Sequence, residues 1–457
     1  MCSFCTTHYS ITAKSTNFVA YNNTIKFPTM RYSKALSDQR DEIQNLETKT
    51  LCKRMEETEI DLDSSLAQIV IGVRRSGKST ICQKVLVESG VIFAYVNFDD
   101  ERLRGVQAND LNDILEELYR IYGSFTHLFL DEIQNVEAWP LFVNRLLRQR
   151  VRIVMTGSNA NLLSSELITH MTGRYNLIEL YPFSFAEYCS MTNVDTQKFT
   201  TKASGLRGYA LNQYLQTGGF PEILQNARMS AKAYVQSLLR AIVEKDICRR
   251  YHVRYKQTIY DLANHILDWF CQEKSYNSIA KDLQIASVHT VRNYMGYLEN
   301  AYLVRSIPKF SYKSIERNAA RKYYATDMAF LAQRERALQT ESLGWRLENV
   351  VAIELLRRME YATEELYYLR ESRSYEVDFA VVEQSCVTQL IQVTYDFTTP
   401  KPRLFNREIG GLVKGAKATQ CNDLTLVMGS GDTHDIEVDS FIIHCVNAAE
   451  WLLNTKK

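Results

Sequence analysis

Apolar and polar residues follow two alternating patterns along residues 67–190. The short apolar runs that are typical of buried strands start at Ala67, Val91, His127, Val151 and Tyr175. Between them lie segments with helical spacing, such as DLNDILEELYRIYG, in which Leu111, Ile114, Leu115 and Leu118 would share one face. Strands that alternate with helices are typical of a parallel sheet. We therefore predict an α/β fold for this part of the chain.

The pattern changes beyond residue 190. Residues 191–255 have helical spacing, interrupted by TGGFPEI, and predict a helical lid. Two short helices followed by a β-ribbon predict a winged helix-turn-helix over 256–330. A long amphipathic helix and the strands YEVDFAVV and QLIQVTYD predict a small α/β domain over 331–457. The first 29 residues are polar and unpatterned, so we expect a disordered extension over 1–29 and a first folded domain over 30–190.

Composition excludes few classes of function. The 457 residues carry a formal net charge of +1, which gives no support to a broadly nucleic-acid-binding surface. The 10 cysteines have no disulfide framework or paired zinc spacing, so we expect a reduced, cytoplasmic setting. No apolar stretch is long enough to predict a membrane span. Met30 precedes the first helix-like stretch, and a start at this residue is a further hypothesis.

A glycine-bounded loop follows the first predicted strand. Gly72, Gly77, Lys78 and Ser79 fit the P-loop spacing, with a strand before the loop and a helix after it. Glycines let backbone N–H groups turn toward phosphates, and the helix N-terminus favours an anion. Lys78 would contact the β- and γ-phosphates, and Ser79 would bind Mg²⁺. The predicted nucleotide-binding residues are Gly72, Val73, Arg74, Arg75, Ser76, Gly77, Lys78, Ser79 and Thr80.

The third predicted strand ends in two acidic residues, Asp131 and Glu132. An acid at the carboxyl end of a buried strand can hold Mg²⁺ through water, and the next acid can polarise an attacking water. We predict these roles for Asp131 and Glu132 respectively. Together with the upstream loop, they predict a site for a nucleoside triphosphate and Mg²⁺.

Two further positions have alternative interpretations. Ser158 or Asn159, after the fourth strand, could contact the γ-phosphate or simply cap the following helix. Arg174, just before the fifth strand, could stabilise charge on a transferring phosphoryl group or form a surface salt bridge. Whether Arg174 would act in its own chain or in a neighbouring subunit stays open.

Seven stretches of the sequence belong together: GVRRSGKST, LDEIQN, TGSNA, TGRY and ELYPFSFAEY, followed downstream by GGFPE and EKDICRRY. As a set they resemble the motifs of prokaryotic AAA+-type ATPases. The C-terminal domain of that family is restriction-endonuclease-like and has no assigned function. The resemblance covers roughly residues 50–450 of this sequence. It implies ATP as the nucleotide, an order of ATPase core, lid, winged helix and C-terminal domain, and Arg174 as a candidate arginine finger.

The resemblance also implies a nuclease-like site in the C-terminal domain. Such a site needs an acid on one strand and an acid-x-lysine on the next. Asp378 matches the first acid, and Glu348 on the preceding helix could be an outer ligand. The next strand carries Gln392 and Thr394 where the acid and the lysine belong, so the site is predicted to be degraded and inactive.

The predicted winged helix does not decide whether the partner is DNA or a protein. His289, Arg292 and Asn293 could face double-stranded DNA, flanked by basic residues in the ribbon, Lys309, Lys313, Arg317, Arg321 and Lys322. Winged helices also serve as packing modules inside ATPases. We therefore carry three functions forward: an ATPase that acts on DNA, a nucleotide-gated switch that binds a protein partner, and an ATP-dependent nuclease, which Gln392 and Thr394 disfavour.

Overall fold

The computed structural model describes residues 31–46, 51–158, 171, 173–198, 200–226, 228–311, 320–332, 334, 342–360, 363–371, 374–398 and 402–454. The predicted N-terminal extension and Met30 lie outside these ranges. Within them the strands form three sheets, which follow one another along the chain.

The first sheet is the five-stranded parallel sheet that the sequence predicts. Its strands are β1 (Ala67–Ile71), β2 (Phe93–Asn97), β3 (His127–Asp131), β4 (Arg152–Gly157) and β5 (Tyr175–Glu179). They lie in the order β2-β3-β4-β1-β5, and every neighbouring pair is parallel. All residues of β1 and β3 are buried, as expected where both faces of a parallel sheet are covered. The predicted α/β core is therefore confirmed.

Helices cover this sheet, and their ends follow from local sequence. They are α1 (Ser33–Gln44), α2 (Lys78–Ser89), α3 (Asp110–Tyr122), α4 (Trp139–Arg148) and α5 (Phe185–Met191). The predicted apolar face of α3 is buried in the core. Helix α5 begins after Ser184, whose Oγ accepts a hydrogen bond from Glu187 N while Glu187 Oε2 accepts one from Ser184 N. This reciprocal capping box fixes the helix start.

Mostly helical chain follows the first sheet. It forms α6 (Thr201–Thr217), α7 (Pro221–Gln225) and α8 (Ala231–Ala241). The last of these continues directly into a π-helix over Ile242–Cys248. Arg249 N donates to Glu244 O at 3.0 Å, five residues back, which is the wider hydrogen-bond spacing of a π-helix. Such segments are often found at functional sites.

A small mixed unit comes next. It contains α9 (Lys256–Asp268), β6 (Glu273–Lys274), α10 (Tyr276–Asp282), α11 (Val288–Asn300), β7 (Val304–Pro308) and β8 (Arg321–Ala325). Its three strands pair antiparallel in the order β6-β8-β7. These elements are compatible with a winged helix-turn-helix, which stays a prediction.

The last part of the chain is built on a mixed six-stranded sheet. Its elements are α12 (Ser342–Arg358), β9 (Glu364–Glu371), β10 (Tyr375–Glu383), β11 (Cys386–Thr394), α13 (Pro402–Thr419), β12 (Leu424–Met428), β13 (His434–Val438), β14 (Phe441–Asn447) and α14 (Ala448–Leu453). The strands lie in the order β13-β14-β12-β11-β10-β9. Its endonuclease-like character also stays a prediction.

Buried polar contacts join the N-terminal and C-terminal parts. Arg357 on α12 donates to Glu56 Oε1 at 2.9 Å and to Pro182 O at 2.8 Å. Asp327, after β8, accepts a hydrogen bond from Gly219 N at 2.8 Å. Both contacts join residues more than 100 positions apart, so they hold segments that flank the first sheet to later parts of the chain.

We predict that Gly218→Ala destabilises the whole chain. Gly218 has a φ of +77°, and a Cβ there would lie 2.0 Å from Asp327 Oδ1. The strain and the clash should lower the free energy of unfolding by more than about 2 kcal/mol. Urea denaturation measures this loss. Gly205→Ala is the matched control because Gly205 lies inside α6 with open space around it, and the substitution should stabilise the chain by up to about 1 kcal/mol. Equal effects of the two substitutions would contradict the role of Gly218.

Candidate functional site

The loop between β1 and α2 passes unusually close to the chain that follows β5. Gly72 has a φ of +150°, and a Cβ there would lie 2.0 Å from Leu180 O. Gly77 has a φ of +98° and comes immediately before α2, which begins at Lys78. Both glycines are therefore needed by the local geometry. The loop turns its backbone around the start of a helix, which is an arrangement that binds anions.

Lys78 provides a buried positive charge inside this loop. Its Nζ donates a hydrogen bond to Val73 O at 3.0 Å. Burial lowers the pKa of Lys78, and the nearby carboxylates, first that of Glu132, only partly oppose this effect. A cavity of about 400 Å³ lies beside the loop, lined by Lys78, Ser79, Asp131 and Glu132 among others. An anion in this cavity would stabilise the charged ammonium.

The two predicted metal ligands lie in direct contact. Ser79 Oγ donates to Asp131 Oδ1 at 2.9 Å, joining the start of α2 to the end of β3. Asp131 also accepts hydrogen bonds from Tyr95 OH at 3.2 Å and from Thr156 Oγ1. Burial and the charge of Glu132 raise the pKa of Asp131 to about 6. Buried oxygen ligands beside a phosphate loop fit Mg²⁺, which keeps several waters and needs few protein ligands.

Glu132 has a backbone conformation that sets it apart from the strand before it. Its φ is +54°, in the left-handed region. Its N–H donates to Thr156 Oγ1 at 3.2 Å, and Gln134 Nε2 donates to its carboxylate. Such strained positions in non-glycine residues are concentrated at functional sites. Gln134 therefore orients a carboxylate that lies next to the proposed metal ligand.

Several residues of the site have no local signal in the sequence. Arg54 is buried and donates to Ser76 O at 3.1 Å and to Tyr181 O at 2.7 Å, and it forms an ion pair with Glu187 at 2.7 Å. It therefore supports the loop from outside. Other parts of the cavity wall that sequence patterns did not indicate are Leu51, Cys52, Phe183, Pro221, Glu222 and Gln225.

The two arginines of the loop contact segments far along the chain. Arg74 Nε and Nη2 donate to the two carboxylate oxygens of Asp246 at 3.0 Å and 2.9 Å. Ser158 Oγ donates to the same carboxylate at 3.1 Å. Arg75 Nη1 pairs with Glu222 at 2.6 Å, in an exposed position. The phosphate loop is thus joined to the π-helix and to α7.

The structure does not bring Arg174 to this site. Arg174 comes directly before β5, and Ala67 N donates to its carbonyl at the start of β1. The phosphate loop follows the end of β1, so the two lie at opposite edges of a parallel sheet, about 15 Å apart along the strands. A role for Arg174 in a neighbouring subunit stays a prediction. Asn159 lies outside the described residues, whereas Ser158 is buried at the end of β4.

Comparisons with known proteins agree with this geometry. A family profile described as "AAA domain" matches residues 64–189. A second, described as "Domain of unknown function (DUF8612)", matches residues 208–341. The uncharacterized protein MJ1544 of Methanocaldococcus jannaschii is 31% identical over 376 residues, which cover 80% of this chain and 82% of that protein.

This chain belongs to the MJ1544 family. An uncharacterized protein of Haemophilus influenzae is 32% identical over 313 residues, which cover 65% of this chain and 76% of that protein. This member of the family therefore contains a P-loop domain of the AAA type, and the part of the predicted resemblance that concerns a P-loop ATPase is confirmed. In the part of the chain that the structure describes, none of the helices combines the length and the apolar character that a membrane span requires.

Two of the solved structures that match this chain are only distantly similar to it. The Walker-type ATPase PABY2304 of Pyrococcus abyssi has a TM-score of 0.39 and 15% identity, over 61% of this chain and 95% of that one. The RuvB Holliday junction branch migration motor of Thermotoga maritima has a TM-score of 0.27 and 15% identity, over 59% of this chain and 90% of that one. Similarity at this level says nothing about function.

A second polar cavity of about 780 Å³ lies where the degraded nuclease-like site was predicted. Glu348 and Asp378 both face it, and Lys322 of β8 reaches between them. Its Nζ lies 3.1 Å from Glu348, 2.8 Å from Glu376 and 3.2 Å from Asp378. A lysine charge is therefore present, although it comes from β8 and not from the strand that carries Gln392. We call Lys322, Glu348, Glu376 and Asp378 the lysine–carboxylate cluster.

Gln392 is part of the hydrogen-bond network behind this cluster. Its Oε1 accepts from Asp378 N at 3.1 Å, and its Nε2 donates to Glu408 at 2.7 Å. Burial and the charge of Asp378 raise the pKa of Glu348 to about 8. Among the described residues, no group of three or more His, Cys, Asp or Glu side chains could hold a metal ion.

The position of Lys322 corrects one expectation from the sequence. Lys322 was placed among the basic ribbon residues that could flank DNA, but it is 2% exposed and paired with carboxylates. It is therefore not available to a phosphate backbone. Lys313 and Arg317 lie outside the described residues, and Arg321 donates to Ser306 Oγ at 3.0 Å.

We predict that Lys322→Met destabilises the chain strongly and in a pH-dependent way. The substitution leaves buried carboxylates without their cation, which should cost about 3–5 kcal/mol of unfolding free energy near pH 8. Without the lysine the folded-state pKa values of Glu348 and Asp378, already raised by burial, rise further, so the folded variant takes up protons and the loss should shrink near pH 5. Urea denaturation at both pH values measures this. Lys281→Met, at an exposed lysine, is the control. A loss as small as that of the control, or a loss that does not depend on pH, would contradict the cluster's role.

Proposed function

We propose that this protein binds ATP together with Mg²⁺ in the cavity beside the β1–α2 loop and hydrolyses it. The observation that carries the proposal is the contact of 2.9 Å between Ser79 Oγ and Asp131 Oδ1, with Glu132 directly after Asp131. A phosphate loop, a metal-binding hydroxyl, a metal-binding carboxylate and a second carboxylate are the groups that phosphoryl transfer to water requires.

Each residue has a separate task in this scheme. The backbone of residues 72–79 and the N-terminus of α2 hold the phosphates, and Lys78 neutralises charge on the β- and γ-phosphates. Ser79 and Asp131 hold Mg²⁺, which when bound neutralises the charge that develops on the phosphate oxygens. Glu132, oriented by Gln134, accepts the proton of the attacking water. Arg54 supports the loop through Ser76 O.

Turnover would move the segments that contact the loop. The exposed Arg75–Glu222 pair joins the loop to α7, and the more buried Arg74–Asp246 pair joins it to the π-helix. Both segments precede the unit that begins at α9. We therefore propose that the state of the nucleotide changes the position of the predicted lid and winged helix relative to the first sheet.

Double-stranded DNA is a candidate partner in addition to ATP, and one observation favours it. His289, Arg292 and Asn293 lie on the exposed face of α11, where a helix can reach a DNA groove. Because Lys322 is buried, this surface has fewer basic residues available to DNA phosphates than the sequence predicted. A protein is therefore the alternative partner. A nuclease activity has less support because Gln392 and Thr394 replace charged ligands, and any residual metal site would have to displace Lys322.

The steady-state ATPase rate with and without duplex DNA tests these alternatives. We expect Mg²⁺-dependent hydrolysis, and Glu132→Gln should lower kcat by about 10²–10⁴-fold while ATP still binds, because only the proton acceptor is lost. The matched control is Glu116→Gln, an exposed glutamate of α3, which should leave kcat unchanged. Lys78→Ala should instead weaken ATP binding, as measured by titration calorimetry.

The outcomes separate the candidates. A rate that rises with DNA and falls at higher salt would favour action on DNA. Slow turnover that DNA does not change, with tightly held nucleotide, would favour a switch that binds a protein. A Glu132→Gln chain that hydrolyses ATP at the wild-type rate would contradict the assignment of Glu132. A wild-type chain that does not bind ATP at all would contradict the proposed function.

A further inference from the structure

Arg74 occupies a position between two cavities. It lines the nucleotide cavity together with Lys78 and Glu132, and it also lines a neighbouring cavity together with Ser158 and Asp246. It lies four residues before Lys78 in the same loop, so its backbone is part of the phosphate cradle. The sequence predicts Arg74 to be one of the nucleotide-binding residues, without a role of its own.

The guanidinium of Arg74 is held along one edge. Its Nε and Nη2 donate to Asp246 in a bidentate pair at 3.0 Å and 2.9 Å, the side chain of Arg74 being 17% exposed and that of Asp246 6%. Ser158 Oγ donates to Asp246 Oδ1 at 3.1 Å and so fixes the carboxylate as well. A bidentate arginine–carboxylate pair sets orientation as well as charge. The guanidinium is therefore oriented before a ligand enters.

The opposite edge of the guanidinium faces Asp99 in an ion pair that is longer than a hydrogen bond. Nη1 lies 3.6 Å from Asp99 Oδ2, which is beyond hydrogen-bonding distance. Burial alone would lower the pKa of Arg74, but Asp246 and then Glu132 raise it above its ordinary value. The Glu132 carboxylate is thus close enough to act on this guanidinium. Arg74 lines the same cavity as Glu132 and Lys78, which is the cavity proposed to hold the phosphates.

We infer that Arg74 is the arginine that stabilises charge on the terminal phosphate during hydrolysis, and that Asp246 and Ser158 are its positioning residues. The inference rests on the proposed function, because it concerns hydrolysis in the same site. The stabilisation of phosphoryl charge, which the sequence analysis considered for Arg174, is thereby assigned to a residue of the chain's own phosphate loop. As water attacks, the bond between the γ-phosphorus and the bridging oxygen breaks, and ADP leaves with that bond's electron pair. Glu132 takes the proton of the water, and Arg74 donates hydrogen bonds to the γ-phosphate oxygens.

Two measurements on purified full-length chains test the inference. The first is kcat and KM for ATP. Arg74→Ala should lower kcat by about 10²–10³-fold with little change in KM, as expected for a donor whose contact strengthens in the transition state. Arg74→Lys keeps the charge but cannot keep the bidentate geometry, and it should recover only a small part of the rate.

The positioning residue has its own signature. Asp246→Asn should lower kcat about tenfold through a misplaced guanidinium, and Asp246→Glu should restore part of the rate. The double variant Arg74→Ala/Asp246→Asn should be no slower than Arg74→Ala alone, because Asp246 then has no guanidinium to position. Arg120→Ala, on the exposed face of α3, is the control and should leave kcat unchanged, and Arg174→Ala tests the rival assignment.

The second measurement does not depend on turnover. The affinity of ADP, of a non-hydrolysable ATP analogue and of ADP with aluminium fluoride is measured for each variant by calorimetry. Arg74→Ala should keep the affinity for ADP and for the ATP analogue but lose much of the preference for the aluminium fluoride complex, which resembles the transition state.

If Arg74→Ala keeps the wild-type preference for the aluminium fluoride complex over ADP, Arg74 only joins the loop to the π-helix. The same conclusion follows if the affinity for ADP and the stability of the chain fall as much as the affinity for that complex. A loss of kcat in Arg174→Ala with a normal Arg74→Ala would return the task to Arg174 of a neighbouring subunit. A wild-type chain that binds nucleotide but does not hydrolyse it would contradict the proposed hydrolysis, and the binding preferences would still decide on Arg74. A wild-type chain that binds no nucleotide would contradict both.

Discussion

The contact between Ser79 and Asp131 depends on the parallel order of the first sheet. Parallel strands deliver the ends of β1, β3 and β4 to one edge, so three separate stretches of chain meet there. The close approach of Gly72 to Leu180 O then fixes the loop against the chain after β5. The remaining features of the site, including the burial of Lys78 and the orientation of Glu132, follow from this meeting of strand ends.

Two charged pairs join the phosphate loop to later parts of the chain, and they differ in burial. The Arg75–Glu222 pair is exposed, so solvent screens it and it contributes about 0–1 kcal/mol at most. The Arg74–Asp246 pair is more deeply buried and bidentate, and breaking it would leave a buried charge without its partner. If the proposed function holds, a change at the terminal phosphate would therefore be transmitted to the rest of the chain mainly through Asp246. Because Asp246 lies in a π-helix immediately before the small mixed unit, a local electrostatic event can reach the second half of the chain.

The sequence predicted the parts of the site that short spacings encode. The loop spacing, the acids at the end of β3 and the five strands of the core lie in continuous stretches whose patterns reflect local geometry. Arg174 could have been placed from the same information, because a residue before a parallel strand cannot lie at the edge where other strands end. The roles of Lys322, Arg54 and Asp246 could not, since these residues act through partners 22 to 172 residues away that no local pattern relates to them.

Amide hydrogen–deuterium exchange of the Glu132→Gln chain tests the central claim most directly. The chain would be compared without nucleotide, with ADP and Mg²⁺, and with ATP and Mg²⁺. We expect both nucleotides to slow exchange in the loop over residues 72–80, and ATP alone to change exchange in residues 242–254, where Asp246 lies. Exchange in the loop that is the same with and without ATP would contradict the claim that this site binds the nucleotide.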